Sequence, residues 1–347
     1  MDQVKKIKVV HSLGYNPWYN LALEEKMLNN IGRGEVILYL WQNEHTVVIG
    51  RNQNAWKECR CRKLEDEDGG YLARRLSGGG AVFHDLGNLN FTFIMDRELY
   101  DLDQQLEVIL EAVKRTGIDA RFSGRNDLIA DGRKFSGNAF YFTTQSAYHH
   151  GTILLDTDFS HMLDYLQVSE DKIKSKGVDS VRSRVVNLRE LKPELKLDTI
   201  KTYLKESFHQ IYGPQLEIEE EKYKPANRDD LKEIYEKYSS WDWRYGRSPD
   251  FDIELKNRFD WGGIEIGLTL QEGVIKDINI YSDAMDVELI DDIKEILKGT
   301  FFRREDIIEK AAKLREKESN FKYTDNVDYS RNKIVNDLQQ WFAEKEI

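Results

Sequence analysis

Arg74-Arg75-Leu76-Ser77-Gly78-Gly79-Gly80-Ala81-Val82-Phe83-His84-Asp85-Leu86-Gly87-Asn88 is the stretch that most constrains the reading of this chain. Three consecutive glycines in strand-like sequence cost stability, because glycine loses the most backbone freedom on folding and leaves no side chain to pack. The run makes sense where something must approach the backbone closely, and Arg74-Arg75 predict that this something is anionic. No Gly-Lys-Ser/Thr follows, so it is not a Walker A loop, and it does not open a helix as Gly-x-Gly-x-x-Gly would. Val82-Phe83 and the apolar residues 89–94 predict a turn between strands. Backbone N–H groups freed at the glycines could bind a phosphate or carboxylate. Arg75 adds a planar fork of permanent charge.

A second segment, Gly124-Arg125-Asn126-Asp127-Leu128-Ile129-Ala130-Asp131-Gly132-Arg133-Lys134-Phe135-Ser136-Gly137-Asn138, reads as a hairpin with Asp131-Gly132 as its two-residue turn. Counting back from that turn, Ile129 faces Lys134 and Asp127 faces Ser136. Asp127, Ile129, Lys134 and Ser136 then share one face. A lysine held there with an aspartate and a serine is a candidate anion site with a metal ligand beside it. The same spacing fits an exposed hairpin with a solvated lysine, and a one-residue slip reverses the faces. In a third segment, His149-His150-Gly151-Thr152-Ile153-Leu154-Leu155, strand alternation puts His150 and Thr152 on one face and His149 on the other. His84 and Asp85 diverge for the same reason, so His84 reads as a hydrogen-bonding or packing residue. Ser77 has no identifiable base.

The frame around these segments is a chain of 347 residues, 40% apolar and 33% charged, with a formal net charge of −11. That length accommodates two domains. The charge argues against broad nucleic-acid binding. No run approaches a membrane span, the N-terminal residues lack a signal peptide's apolar core, and a reducing cytoplasm is the simplest setting. Cys59 and Cys61, the two cysteines, support neither a disulfide framework nor a four-ligand zinc site. Asn16-Pro17 predicts a helix start, and 103–116 an amphipathic helix. Aromatic residues with Gly and Pro breaks at 239–250 predict a domain boundary. Strand-like and helical segments without regular alternation favour an α+β class.

Taken together, Arg74–Asn88, the two hairpin strands and the His-His segment resemble the lipoate–protein ligase A family, and their order and spacing fit it. The resemblance continues through Gly177–Leu188, Trp241-Asp242-Trp243-Arg244-Tyr245-Gly246 and Phe259-Asp260-Trp261-Gly262-Gly263, so it spans essentially the whole chain. It implies the α/β fold shared with biotin–protein ligases and class II tRNA synthetases over 1–246, and a small α+β accessory domain over 247–347. It implies activation of lipoate with ATP and Mg²⁺ to lipoyl-adenylate. Transfer then follows to a lysine on lipoyl domains of 2-oxoacid dehydrogenase E2 components or on the glycine-cleavage H protein. Lys134 matches the catalytic lysine, serving both lipoate and nucleotide. Arg75, Gly80, Ala81, Val82, Phe83, Asn126 and Asp127 match adenylate-binding positions, with Asp127 a candidate Mg²⁺ ligand. Ser77, Ser136, Ala139, His150 and Thr152 match lipoate-lining positions.

Further expectations are a monomer, a basic acceptor-docking patch of Arg74, Arg51, Arg62 and Lys63, a loop at 168–185 closing over the adenylate, and a hinge at 239–250. The alternatives are a lipoyltransferase using preformed lipoyl-adenylate, an octanoyl or lipoyl amidotransferase working through a cysteine, and a non-catalytic binding protein. Cys59 and Cys61 precede the glycine run in a charged stretch and read as ordinary thiols.

Overall fold

The computed structural model describes residues 4–123, 127–167, 185–225, 229–245, 252–271, 273–317 and 330–344. The chain folds as two units. The first takes in most of residues 1–244. The second is residues 245–347 together with two short stretches, 50–54 and 76–80.

The first unit is built on eight strands: β1 (Lys6–Ser12), β2 (Glu35–Trp41), β6 (Asn88–Asp96), β7 (Ala120–Ser123), β8 (Asp127–Ala130), β9 (Arg133–Phe142), β10 (Ser146–Leu154) and β11 (Ile218–Tyr223). They lie in the order β11-β1-β2-β6-β10-β9-β8-β7. A second sheet, β4-β3-β5, joins β3 (Thr46–Ile49), β4 (Tyr71–Arg74) and β5 (Val82–His84). The large sheet is apolar on one face. Phe91, Phe93, Phe140 and His149 point there, and the helices Leu102–Lys114 and Leu197–Tyr212 cover it. The rings of Phe208 and Tyr212 lie 6.2 and 6.4 Å from that of Phe93. The opposite face carries polar residues and receives α1 (Pro17–Asn30). As the sequence predicts, Asn16 caps this helix by accepting the Tyr19 N–H at 3.0 Å, with Pro17 first.

In the second unit, β12 (Ile253–Phe259), β13 (Gly262–Gln271) and β14 (Val274–Ser282) form a meander. The helices Val287–Leu297, Arg304–Ala312 and Arg331–Ala343 share a core with it around Trp261, Ile266, Leu338 and Phe342. The glycine run belongs to this unit. A Cβ on Gly78 would lie 2.2 Å from the Ala284 carbonyl oxygen, and Gly79, at φ 89°, donates its N–H to the same oxygen at 3.3 Å. So the close approach that requires glycine at 78 is made by this chain's own backbone rather than by an anion. A Cβ on Gly80 would meet open space.

Of the expected hinge, Trp241–Tyr245 is helical. Arg74 forks onto its carbonyls, Nε to Trp243 O and an Nη2 hydrogen to Arg244 O, both at 2.8 Å, while the Trp243 indole N–H donates to Arg74 O at 2.9 Å. Arg74 is therefore buried and no part of a docking patch. Lys63 is likewise paired, with Asp68 at 2.9 Å. Residues 246–250 and the expected closing loop, apart from Val185, lie outside the described residues.

Hydrogen bonds to a charged group contribute about 1.5–3 kcal/mol each, and buried carbonyls stripped of a donor add a penalty. Arg74→Leu is expected to lower unfolding free energy by about 3 kcal/mol in urea titrations. Arg62→Leu, on a largely exposed side chain, should leave the midpoint in place. Equal midpoints for the two variants would remove the clamp from the account.

Candidate active site

The Asp131-Gly132 turn forms as the sequence predicts, with φ 49° and 70°. Ala130 pairs with Arg133 and Ile129 with Lys134. The register then shifts. Leu128 pairs with Ser136 and Asp127 with Gly137, so Phe135 is an extra residue in β9. The expectation that Ser136 shares the face of Lys134 fails for this reason. Ser136 lies with Leu128 on the other face, fully buried. Gly137 takes its place, and the Lys134 side chain lies over it. A Cβ on Gly137 would meet Nζ at 2.8 Å. The ammonium pairs with Asp127 Oδ1 at 2.7 Å, as the shared face predicts. The Thr152 hydroxyl accepts the Gly137 N–H at 3.2 Å, and the Lys134 carbonyl accepts the Val186 N–H at 2.8 Å.

Register carries this face across three more strands. Ala139 lies opposite His150. His150 lies opposite Thr92, and Thr152 opposite Asn90. Thr92 lies opposite Tyr39, and Asn90 opposite Trp41. Lys134, Asp127, Gly137, Ala139, His150, Thr152, Asn90 and Trp41 are therefore on one side of the sheet. Ala139, His150 and Thr152 come together with Lys134 as expected.

A buried polar layer runs between this face and α1. Glu24, 1% exposed, accepts the Thr92 hydroxyl at 2.7 Å and pairs with His150 Nδ1 at 3.0 Å. Thr92 in turn accepts the Trp41 indole N–H at 3.0 Å. Tyr148 lies against His150, ring centroids 4.7 Å apart. Arg75 is buried at the end of β4, its Nη1 donating to Val48 O at 3.2 Å. Burial pulls its pKa down to about 10, with Tyr148 and Glu24 acting in the opposite direction. Burial, with the charges of Arg75 and His150, pulls His84 down to about 3. His149, on the apolar face, is held neutral by burial, its Nε2 2.8 Å from Asn138 Oδ1.

Glu24, Trp41, Thr92, Asn90 and Tyr148 were not legible as site residues. A signal for Glu24 existed: it interrupts the Leu21–Leu28 apolar stripe of α1. The remaining expected residues are dispersed. Val82–His84 form β5, an edge strand of the small sheet. The Phe83 ring packs among His45, His161 and Tyr165 at 5.7–6.1 Å. Ser77 is buried, its carbonyl accepting the Arg51 N–H at 2.9 Å. Asn126 lies outside the described residues. Among the described residues, no cluster of three His, Cys, Asp or Glu could hold a metal ion, and no helix is long and apolar enough to cross a membrane. Cys59 and Cys61 are both buried.

This face joins the Lys134–Asp127 pair to a buried polar floor of Glu24, Thr92 and His150. Residues 16–209 match the lipoyl protein ligase A/B catalytic domain, and residues 248–342 the bacterial lipoate protein ligase C-terminus. The chain belongs to the lipoate–protein ligase A family and is a ligase. It is 41% identical over 308 residues to lipoate-protein ligase A of Psychrobacter cryohalolentis, covering 87% of this chain and 91% of that one. Identity is also 41% over 319 residues to the protein of the same name from Bdellovibrio bacteriovorus, covering 90% and 94%. Among solved structures, P. falciparum LipL1 in complex with lipoate is 30% identical and covers 98% of this chain and 100% of its own, with a TM-score of 0.82. A lipoate-protein ligase A bound with ATP, 23% identical, shares the fold over 71% of this chain and 99% of its own, with a TM-score of 0.57.

The buried histidines give a pH signature. Below their ordinary value of 6.5, the unfolded chain takes up protons at His84 and His149 that the folded chain refuses until much lower pH. Stability from these groups is full above 6.5 and lost as pH falls, at about 1.4 kcal/mol per pH unit for each. Urea midpoints measured from about pH 7.5 down to about pH 5 should fall, and His84→Gln should reduce the slope by about one proton. A slope unchanged by that substitution would mean His84 is not held neutral.

Proposed function

We propose that the face carrying Lys134 is where lipoate is activated with ATP and passed to a lysine of an acceptor protein. The observation that carries this reading is the Lys134 ammonium, held over Gly137 beside Thr152 and Asp127 on the face that His150 and Ala139 share. In the first step a lipoate carboxylate oxygen attacks the α-phosphorus. An O–P bond forms, the bond to the β-phosphate oxygen breaks, and pyrophosphate leaves. Negative charge grows on the α-phosphoryl oxygens, and a lysine fixed by a bulge and a carboxylate meets it without reorganisation. Arg75 adds charge where burial strengthens it. The outer edge of β5 offers backbone groups of Val82 and Phe83 to the adenylate.

In the second step the acceptor amine attacks the acyl carbonyl. A C–N bond forms, the C–O bond to the phosphate breaks, and AMP leaves. Lys134 polarises that carbonyl, and the adenylate phosphate is placed to receive the amine's proton. The acceptors are lipoyl domains of 2-oxoacid dehydrogenases or the glycine-cleavage H protein, reached from a cytoplasmic monomer. Residues 1–246 form the catalytic domain and 247–347 the accessory one.

Magnesium fits in one form. Asp127 gives one half-exposed carboxylate, and among the described residues no cage of three such ligands surrounds it. That suits an ion that arrives on the nucleotide phosphates and keeps its waters. When bound, it supplies charge neutralisation across the phosphate oxygens.

The cysteine-thioester alternative is disfavoured by the thiols themselves. Hydrogen bonding to Cys61, then burial, pushes the Cys59 thiol far above its ordinary range, so Cys59 is not a ready nucleophile, and Cys61 is buried. Ser substitution at both positions should leave turnover intact. Pyrophosphate release with ATP, Mg²⁺ and lipoate should occur in the wild type and fall at least roughly 100-fold in Lys134→Ala, with folding unchanged. Transfer from supplied lipoyl-adenylate without any pyrophosphate release in the wild type would make the chain a transferase instead.

A further inference from the structure

Asn90 on the sheet face that carries Lys134, and His84 on the small sheet against Trp41, are two buried hydrogen-bond donors that the chemistry above does not use. Asn90 is 1% exposed and lies between Trp41 on β2 and Thr152 on β10. Its Oδ1 accepts from Asn88 Nδ2 at 3.0 Å, but its own Nδ2 has no partner among the described residues. His84, 4% exposed, places Nδ1 3.2 Å from Asn43 Nδ2. The Asn43 amide is oriented by Asn20, which donates to its Oδ1 at 2.9 Å. Its nitrogen can then only donate, so His84 Nδ1 accepts and the neutral ring carries its hydrogen on Nε2. Among the described residues Nε2 has no partner either. The His84 ring is 6.2 Å from that of Trp41. Both unpaired donors thus flank one tryptophan, beside the satisfied Trp41–Thr92–Glu24–His150 chain. Buried donors left unpaired are costly and rare.

Distance along the sheet says which part of a substrate they meet. The Lys134 ammonium lies above Gly137 on β9, and Asn90 is two strands away on β6. That is about 10 Å at the usual strand spacing. An extended acyl chain of five carbon–carbon bonds, followed by a ring sulfur, reaches roughly 8 Å from its carboxyl carbon. A carboxylate at Lys134 therefore delivers the dithiolane ring of lipoate to the Asn90–Trp41–His84 corner. An unsubstituted alkyl chain would put only C–H groups there.

We propose that Asn90 and His84 are specificity-determining donors to the sulfur atoms of the substrate ring, selecting a dithiolane acid over a straight-chain fatty acid of the same length. The inference rests on the reading that the carboxylate binds at Lys134. Sulfur is a weak but polarisable acceptor and also packs well against an aromatic ring. An alkyl chain leaves both donors desolvated and unpaired, and it is that difference that discriminates.

The test is kcat/KM for adenylation, read as pyrophosphate release, with lipoate and with octanoate as competing acids. Wild type should favour lipoate by roughly tenfold or more. Asn90→Leu, close in shape, should reduce that ratio at least about fivefold by raising KM for lipoate while octanoate is used as well or better. Addition of His84→Phe should bring the ratio near one. Asn90→Thr, which keeps one donor, should lie between, and it serves if the leucine variant does not fold. A ratio unmoved in any folded variant, or equal losses for both acids, overturns the proposal. Lys134→Ala in the same assay separates the two readings. If that variant kept lipoate-dependent release, the carboxylate placement would fall. If it were inactive while the Asn90 variants left the ratio unchanged, the specificity assignment alone would fall.

Discussion

One extra residue in a strand sets the geometry of the site. Phe135 and Ser136 together oppose Leu128, and all three are buried on the face away from the substrate side. The bulge lets Lys134 and Gly137, three residues apart, share a face that regular alternation would deny them. Lys134 can then lie along the strand over Gly137 and reach Asp127. The bulge is held by its surroundings: Thr152 accepts the Gly137 N–H, and Val186 donates to the Lys134 carbonyl. A regular β9 would place a side chain where the ammonium now sits.

The second constraint is a charge taken out of water. Glu24 is buried between α1 and the sheet, and its desolvation is offset by Thr92 and His150. The other face of the same strands repays that cost with aromatic packing, Phe91 and Phe93 against His149, Phe208 and Tyr212. Alternation along β6 and β10 divides the labour. Odd-numbered residues from Leu89 to Met95 and from Ala147 to Ile153 build the core. Even-numbered ones, Asn90, Thr92, Tyr148, His150 and Thr152, build the site. A site on rigid strands rather than loops keeps its groups oriented before substrate arrives.

Local chemistry was the legible part of the sequence. The Asp131-Gly132 turn, the Asn16 cap and the opposed faces of His149 and His150 each follow from a rule spanning a few residues. The ordered motifs carried the family. What escaped depends on partners distant in the chain. The bulge at Phe135 has no glycine to announce it, and its register is fixed by β8 and β10 together. Arg74 reads as a ligand-binding arginine because nothing nearby reveals that its acceptors are Trp243 and Arg244. Glu24 was visible as an acid in an apolar stripe, but only the strand beneath it shows why. The glycine run reads as a point of close approach, and at Gly78 the group that approaches is the Ala284 carbonyl.

The two borders of the large sheet differ, and each limits what can attach there. At one border β11 runs parallel to β1 with the sequence Ile218-Glu219-Glu220-Glu221-Lys222-Tyr223, so charged side chains project from both of its faces. Another strand pairing there would have to bring its own side chains alongside consecutive glutamates. At the other border β7 is four residues long and carries Arg121. Short or charged rims discourage strand-to-strand polymerisation. Rims of this kind disfavour the addition of a further strand at either border of the eight-stranded sheet.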